Sequence, residues 1–168
     1  MEPRELFQRI EEHIQGVIKQ DTEQGNLLWR ELIKAHPADI AQFFEHSDES
    51  AVVALFSQFT KVLKTEVFKE LSPSLQQSLL ALLPDMQQMS LLQDLSTDEL
   101  SDFLEHVPDH MVKEYLTVLH KKDRDKVLSI LKFKPRSAGG IMDTDVLTLM
   151  EDMTVQKAIS LMQRIEIA

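Results

Sequence analysis

Cysteine is absent from this 168-residue chain, which excludes a disulfide scaffold and any thiolate metal site. Glycine occurs only four times, too sparsely for the turns of a long β-meander. Basic residues are in deficit, 18 against 28 acids, for a formal net charge of −10. A nucleic-acid binder needs a basic stripe, so that class is set aside; the same charge suits cations or basic partners. No apolar run approaches the roughly 18 residues of a membrane span. Met1-Glu2-Pro3-Arg4 leads into no signal-peptide core. The chain is therefore expected to be soluble, with no membrane contact of its own. Its hydrophobic content of 43% is enough for a core.

What is present is a repeat. The apolar doublets Phe43-Phe44, Val67-Phe68, Leu91-Leu92 and Tyr115-Leu116 stand 24 residues apart. A second series, Leu55-Phe56, Leu79-Leu80, Phe103-Leu104 and Val127-Leu128, keeps that interval, as do Phe59, Leu83, Val107 and Leu131. Self-similarity at such a period marks units that bury their apolar faces only by stacking on one another. Each unit has room for two helices of about nine residues and two tight turns. The turns carry matching chemistry: His36-Pro37-Ala38-Asp39 opens the region, Ser72-Pro73 places Pro at a first helical position, and Pro84 and Pro108 sit at unit boundaries. Ser96-Thr97-Asp98-Glu99 reads as a capping box. The expected fold is all-α, a superhelical array of short helical hairpins, with residues 36–132 almost entirely α-helical.

Ahead of the array, Leu6, Phe7, Ile10, Ile14, Val17 and Ile18 draw one helical stripe from Pro3 to about Gln20. Gly25-Asn26 is expected to break the chain, with Asn26 capping a helix from Leu27 to about Ala35 and Trp29 packing it against the first repeat. The repeat stops near Lys134-Pro135-Arg136. Ser137-Ala138-Gly139-Gly140 reads as a hinge, Asp145–Met150 as a short strand, and Thr154 as the cap of a helix from Val155 to about Arg164. One strand and one helix cannot make a core, so the chain is expected to be a fragment of something longer. The domain reading is 1–35 for N-terminal helices on the array, 36–134 for the array, 135–144 for a linker, and 145–168 for the start of an α/β domain.

Function is expected where units depart from the pattern. Asp98 is replaced in the other units by Ser50, Ser74 and Lys122, and Asp102 by Ala54, Ser78 and Lys126. Four apart on a helix, these acids share a face at roughly 6 Å, where like charges repel. A cation would relieve that; equally, acids near a helix N-terminus are favoured by the dipole and need do nothing more. His106 and His110 have an i, i+4 spacing, but Pro108 between them breaks a shared face, so no zinc site is assigned. No P-loop, dinucleotide fingerprint or nucleophile elbow occurs, and no catalytic residue is assigned. The chain is read as not an enzyme.

His36-Pro37-Ala38-Asp39-Ile40, Leu95-Ser96-Thr97-Asp98-Glu99-Leu100-Ser101-Asp102, and Ser137-Ala138-Gly139-Gly140-Ile141-Met142 together resemble the MgtE magnesium transporter/channel family over about residues 27–166. The resemblance implies that family's cytosolic N-terminal helical domain, followed by the first strand and helix of a cystathionine-β-synthase (CBS) domain. It implies a regulatory Mg²⁺ sensor that gates a separate membrane pore, on the cytoplasmic face of the cell membrane, in a chain that is a homodimer at full length. The family's interface acids correspond to Glu66, Asp98 and Asp102, which become the expected Mg²⁺ ligands. Met142-Asp143-Thr144-Asp145 departs from the Met-Thr-Pro common in the family. The alternative is an α-solenoid scaffold that grips a protein partner, or a stand-alone regulator, without metal sensing.

Overall fold

The computed structural model describes residues 3–133, 137–139, 142 and 148–165. Among them the regular structure is entirely helical. The array consists of α4 (Pro37–Phe44), α5 (Glu49–Gln58), α6 (Lys61–Glu70), α7 (Pro73–Leu82), α8 (Asp85–Asp94), α9 (Thr97–Glu105), α10 (Asp109–Val118) and α11 (Lys121–Ile130). Their first residues fall every 12 positions, so the 24-residue unit is a pair of equal helices. The core side chains are drawn from the seventh and eighth positions of each helix, joined by the fourth on α4, α5 and α9 and, just past the helix end, by the eleventh after α5 to α10, a stripe of three- and four-residue steps. The doublets are the seventh and eighth. Every doublet residue is buried except Leu128, which is 40% exposed. It lies on α11, the last array helix described, where no following unit covers it.

The helices stack with their second neighbours. α4 packs on α6, α6 on α8 and α8 on α10, while α5 packs on α7 and α9 on α11. This interleaving turns one apolar stripe per helix into a continuous core. Starts are held as the residue types require. His36 Nδ1 accepts from the Ala38 amide at 3.2 Å ahead of Pro37, and Ser72 Oγ from the Leu75 amide at 3.4 Å ahead of Pro73. Helix ends are satisfied by glutamines. Where the fourth position is polar, Gln76 donates to the Phe68 carbonyl at 2.8 Å and Gln88 to the Leu83 carbonyl at 2.8 Å. Gln93 bonds the Val118 carbonyl at 2.9 Å from another helix.

The N-terminal segment differs from expectation in two ways. The stripe from Pro3 is two helices, α1 (Pro3–Glu12) and α2 (Ile14–Lys19), interrupted at His13, and Gln20 ends α2 with a left-handed φ of 53°. Gly25 and Asn26 do not break the chain but lie in the first turns of α3 (Glu23–Leu32), which Thr22 caps by accepting from the Gly25 amide at 3.0 Å. The glycine is there for proximity. A Cβ on Gly25 would stand 2.1 Å from the Gly16 carbonyl oxygen, because α2 and α3 cross backbone to backbone. Trp29 packs on Phe59 at 5.7 Å between centroids and Phe7 stacks on Phe43 at 5.0 Å, joining these helices to the first array unit.

Beyond the array, Gly139 lies against the Phe133 ring, where a Cβ would come within 2.5 Å of it. Of the expected strand, Asp145–Leu147 fall outside the described residues, and Thr148–Met150 are described and form no strand. A strand needs a partner for its ladder, and no strand is present among the described residues. The final helix, α12 (Val155–Ile165), begins as expected, with the Lys157 amide bonded to Thr154 Oγ1 at 3.4 Å. Gly140 lies outside the described residues.

Two substitutions test this packing by chemical denaturation. Leu92→Ala, at a side chain only 1% exposed, is expected to cost about 2 to 5 kcal/mol. Gly25→Ala would ordinarily favour a helix by roughly 1 kcal/mol; here it is expected to destabilise by about 1 to 3 kcal/mol, because two backbones must move apart. A neutral result would mean that α2 and α3 do not cross this closely.

Candidate functional site

α9 is the helix whose surface departs most from its neighbours. Its start is fixed by the Ser96–Glu99 capping box, in which Glu99 Oε2 accepts from the Ser96 amide at 2.8 Å. That fixes Asp98 in the first turn and Asp102 one turn on. Asp98 is half-buried and Asp102 is exposed, against an expectation that both lie fully in solvent. Capping and the packing of Thr97, Leu100 and Ser101 draw the first turn of α9 inward. Ser101 donates to the Thr97 carbonyl at 2.7 Å, so its buried hydroxyl is satisfied.

Asp102 stands on the rim of a cavity of about 210 Å³ formed by α6, α7 and α9. Phe68, Leu71, Leu95 and Phe103 give it an apolar lining, and Lys69, Gln76, Glu99, Asp102 and His106 its polar groups. Partial burial pushes the Asp102 carboxyl above the usual aspartate range. The charge of Asp98 adds to this, and His106 acts against it. His106 Nδ1 is committed to the Asp102 carbonyl oxygen at 2.8 Å, and Gln77 donates to the His106 carbonyl at 2.6 Å.

Glu66 comes from α6 and is exposed. Its Oε1 is 2.9 Å from Lys69 Nζ, and the same ammonium is 3.0 Å from Glu99 Oε1. Lys69 and Glu99 were not among the expected site residues, yet they are the pair that links α6 to α9. The i, i+3 spacing of Glu66 and Lys69 was visible in the chain; the contact across helices was not. Hydrogen bonds to Glu66 and then Glu99 raise Lys69 above the ordinary lysine value, outweighing burial. Burial pushes Glu99 upward, but the Ser96 amide and Lys69 together hold it below the usual glutamate range. His106 and His110 belong to the end of α9 and the start of α10. Among the described residues no group of three or more His, Asp or Glu side chains is placed to enclose a metal ion. What the surface offers is two carboxylates one turn apart on α9, one of them raised by partial burial and its neighbour's charge, with a third on α6 held by lysine.

The model of the MgtE intracellular N domain matches residues 35–136, more than half of the chain. The chain belongs to that family. A crystal structure of the cytosolic domain of the Mg²⁺ channel MgtE in complex with ATP superposes with a TM-score of 0.78 at 25% identity, covering 94% of this chain and 62% of that one. The soluble part of a magnesium transporter gives a TM-score of 0.72 at 19% identity, covering 97% of this chain and 62% of its own, and speaks to the fold alone. This MgtE-family chain thus spans less than two thirds of the length of either. No curated protein matches it. No helix among the described residues is long and apolar enough to cross a membrane.

The two shifted carboxyls predict opposite pH dependences. Asp102, raised in the folded state, disfavours its charged form, so Asp102→Asn should raise the melting temperature at about pH 7 and make no difference near about pH 3, where aspartic acid is protonated in both states. Glu99, lowered, contributes stability above the ordinary glutamate range that is lost as pH falls through its folded value; Glu99→Gln should lose that acid-dependent step. Thermal melts across this pH range check both.

Proposed function

We propose that this domain is the Mg²⁺-sensing, regulatory cytosolic element of a longer magnesium channel or transporter. The observation that carries this reading is the 25% identity, over 94% of the chain, to the cytosolic domain of a Mg²⁺ channel. The acids of α9 supply its chemistry. Mg²⁺ keeps most of its water and takes one or two carboxylates directly, so an open pair suits it where a closed cage does not. Asp98 and Asp102 offer such a pair; the Asp102 carboxyl is raised first by partial burial and then by the charge of Asp98, and a divalent cation would offset the second. Glu66 is the third ligand group in this reading, reached once its bond to Lys69 is exchanged. Residues 36–134 form the superhelical sensor, 135–144 the linker, and 145–168 the opening segment of a CBS domain, with α12 as its first helix. The rest of that domain, a membrane pore and a second copy of the full-length chain are the partners, on the cytoplasmic face of the membrane.

Gating in this scheme is a bias between two arrangements. Without Mg²⁺, the acidic face of this domain and that of the CBS pair repel; the ion screens both and favours the closed form. No covalent step is involved in this reading.

The expected outcome is weak Mg²⁺ binding by this chain and tighter binding by a longer one carrying the CBS pair, followed by calorimetry and protease protection. Asp98→Asn with Asp102→Asn should abolish the Mg²⁺-dependent protection of the longer chain while leaving its helical content unchanged. Protection that persists in the double variant would rule out these acids as the sensor and favour a scaffold role for the array.

A further inference from the structure

Lys69 has no counterpart in the other units: its register is taken by Glu45, Gln93 and Thr117. It is only 28% exposed, and its ammonium sits 2.9 Å from Glu66 and 3.0 Å from Glu99. Of these two carboxylates Glu99 is bound twice over, since it also closes the capping box, whereas Glu66 is exposed and its side chain has no partner described other than Lys69. The two bonds therefore differ in kind. Lys69–Glu99 ties α6 to α9, and Lys69–Glu66 is a solvent-exposed i, i+3 pair that is cheap to break.

We propose that Lys69 is a tethered counter-ion: it occupies the acidic rim when divalent cation is scarce, and Mg²⁺ must displace it from Glu66 to bind there, so that this one side chain sets the concentration at which the surface responds. The inference rests on the Mg²⁺ reading above and adds to it a built-in competitor. A monovalent ammonium held on a covalent arm is present at constant effective concentration, whatever the ionic conditions. It offsets part of the attraction between the acids and a free cation and moves the response to higher Mg²⁺. Because Lys69 stays bonded to Glu99 after releasing Glu66, displacement does not require the α6–α9 contact to open.

The test is a titration of the chain with MgCl₂ at fixed ionic strength, read from the backbone-amide shifts of α6 and α9. Lys69→Met, which keeps the aliphatic stem, is expected to lower the midpoint roughly three- to tenfold. Lys34→Met removes the same unit of charge from an exposed lysine in the turn after α3, which pairs with Glu31 and not with the α6 or α9 acids, and is expected to leave the midpoint within about twofold, since salt screens exposed charges. If Met at this position unfolds α6, Lys69→Gln, which still donates a hydrogen bond, is expected to shift the midpoint in the same direction. An unchanged midpoint in the Lys69 variants, with a wild-type response that Asp98→Asn weakens, overturns the counter-ion role and leaves the Mg²⁺ reading standing. An equal shift in Lys34→Met and Lys69→Met overturns it too, reducing the effect to net charge. Amides that Mg²⁺ moves in neither wild type nor variant overturn both.

Discussion

Helices of eight to ten residues have almost no stability of their own in water, and this array is built of nothing longer. Everything therefore depends on burial of the paired apolar residues at the seventh and eighth positions of each helix. Helices pack on those two places along the chain, and both members of each doublet are buried except Leu128 at the end of the array. The aromatic residues concentrate where an end has to be closed. Phe7, Trp29, Phe43, Phe44, Phe56 and Phe59 form one contiguous set at the junction of α1–α3 with the array. The opposite end leaves Leu128 and Phe133 partly in solvent, with Gly139 lying on the Phe133 ring.

Short helices also have a high proportion of end groups, since the first four amides and last four carbonyls of each lack intrahelical partners whatever its length. Threonine, serine and histidine serve the starts, and glutamine the finishes. The candidate surface on α9 grows from the same accounting. Its capping box recruits Glu99, Glu99 holds Lys69, and Lys69 holds Glu66, so helix-end chemistry arranges three charged groups from two helices. Asp102 is then set beside a cavity whose apolar lining comes from ordinary core positions.

The parts of this structure that depend on residues near one another in the chain could be read from the sequence. The doublets announced the buried face, Ser72-Pro73 and Ser96–Glu99 announced helix starts, and the α9 acids stood out against serine, alanine and lysine in the other units. Contacts between distant segments could not be read in that way. Gly25 was taken for a breaker because glycine is permissive, whereas its position is dictated by the Gly16 carbonyl of another helix. Nothing near Lys69 in the chain marks it as a link between helices, because its second carboxylate is 30 residues away. The helical stripe through Ile10 and Ile14 continued across His13 although the backbone does not. The strand expected after Gly140 was drawn from propensity alone, and the described part of it, Thr148–Met150, has no neighbour with which to form a ladder.

The 12-residue spacing of helix starts has a consequence for how such a chain can change length. Successive helices belong to alternate rows, so gaining or losing a single helix would move every later residue to the opposite row and carry α9, with its carboxylates, to the other side of the molecule. A gain or loss of two would preserve sidedness and alter only reach. Arrays of this kind are thus free to grow or shrink in even steps, and parity, more than length, is the quantity that a functional face on one row would hold constant.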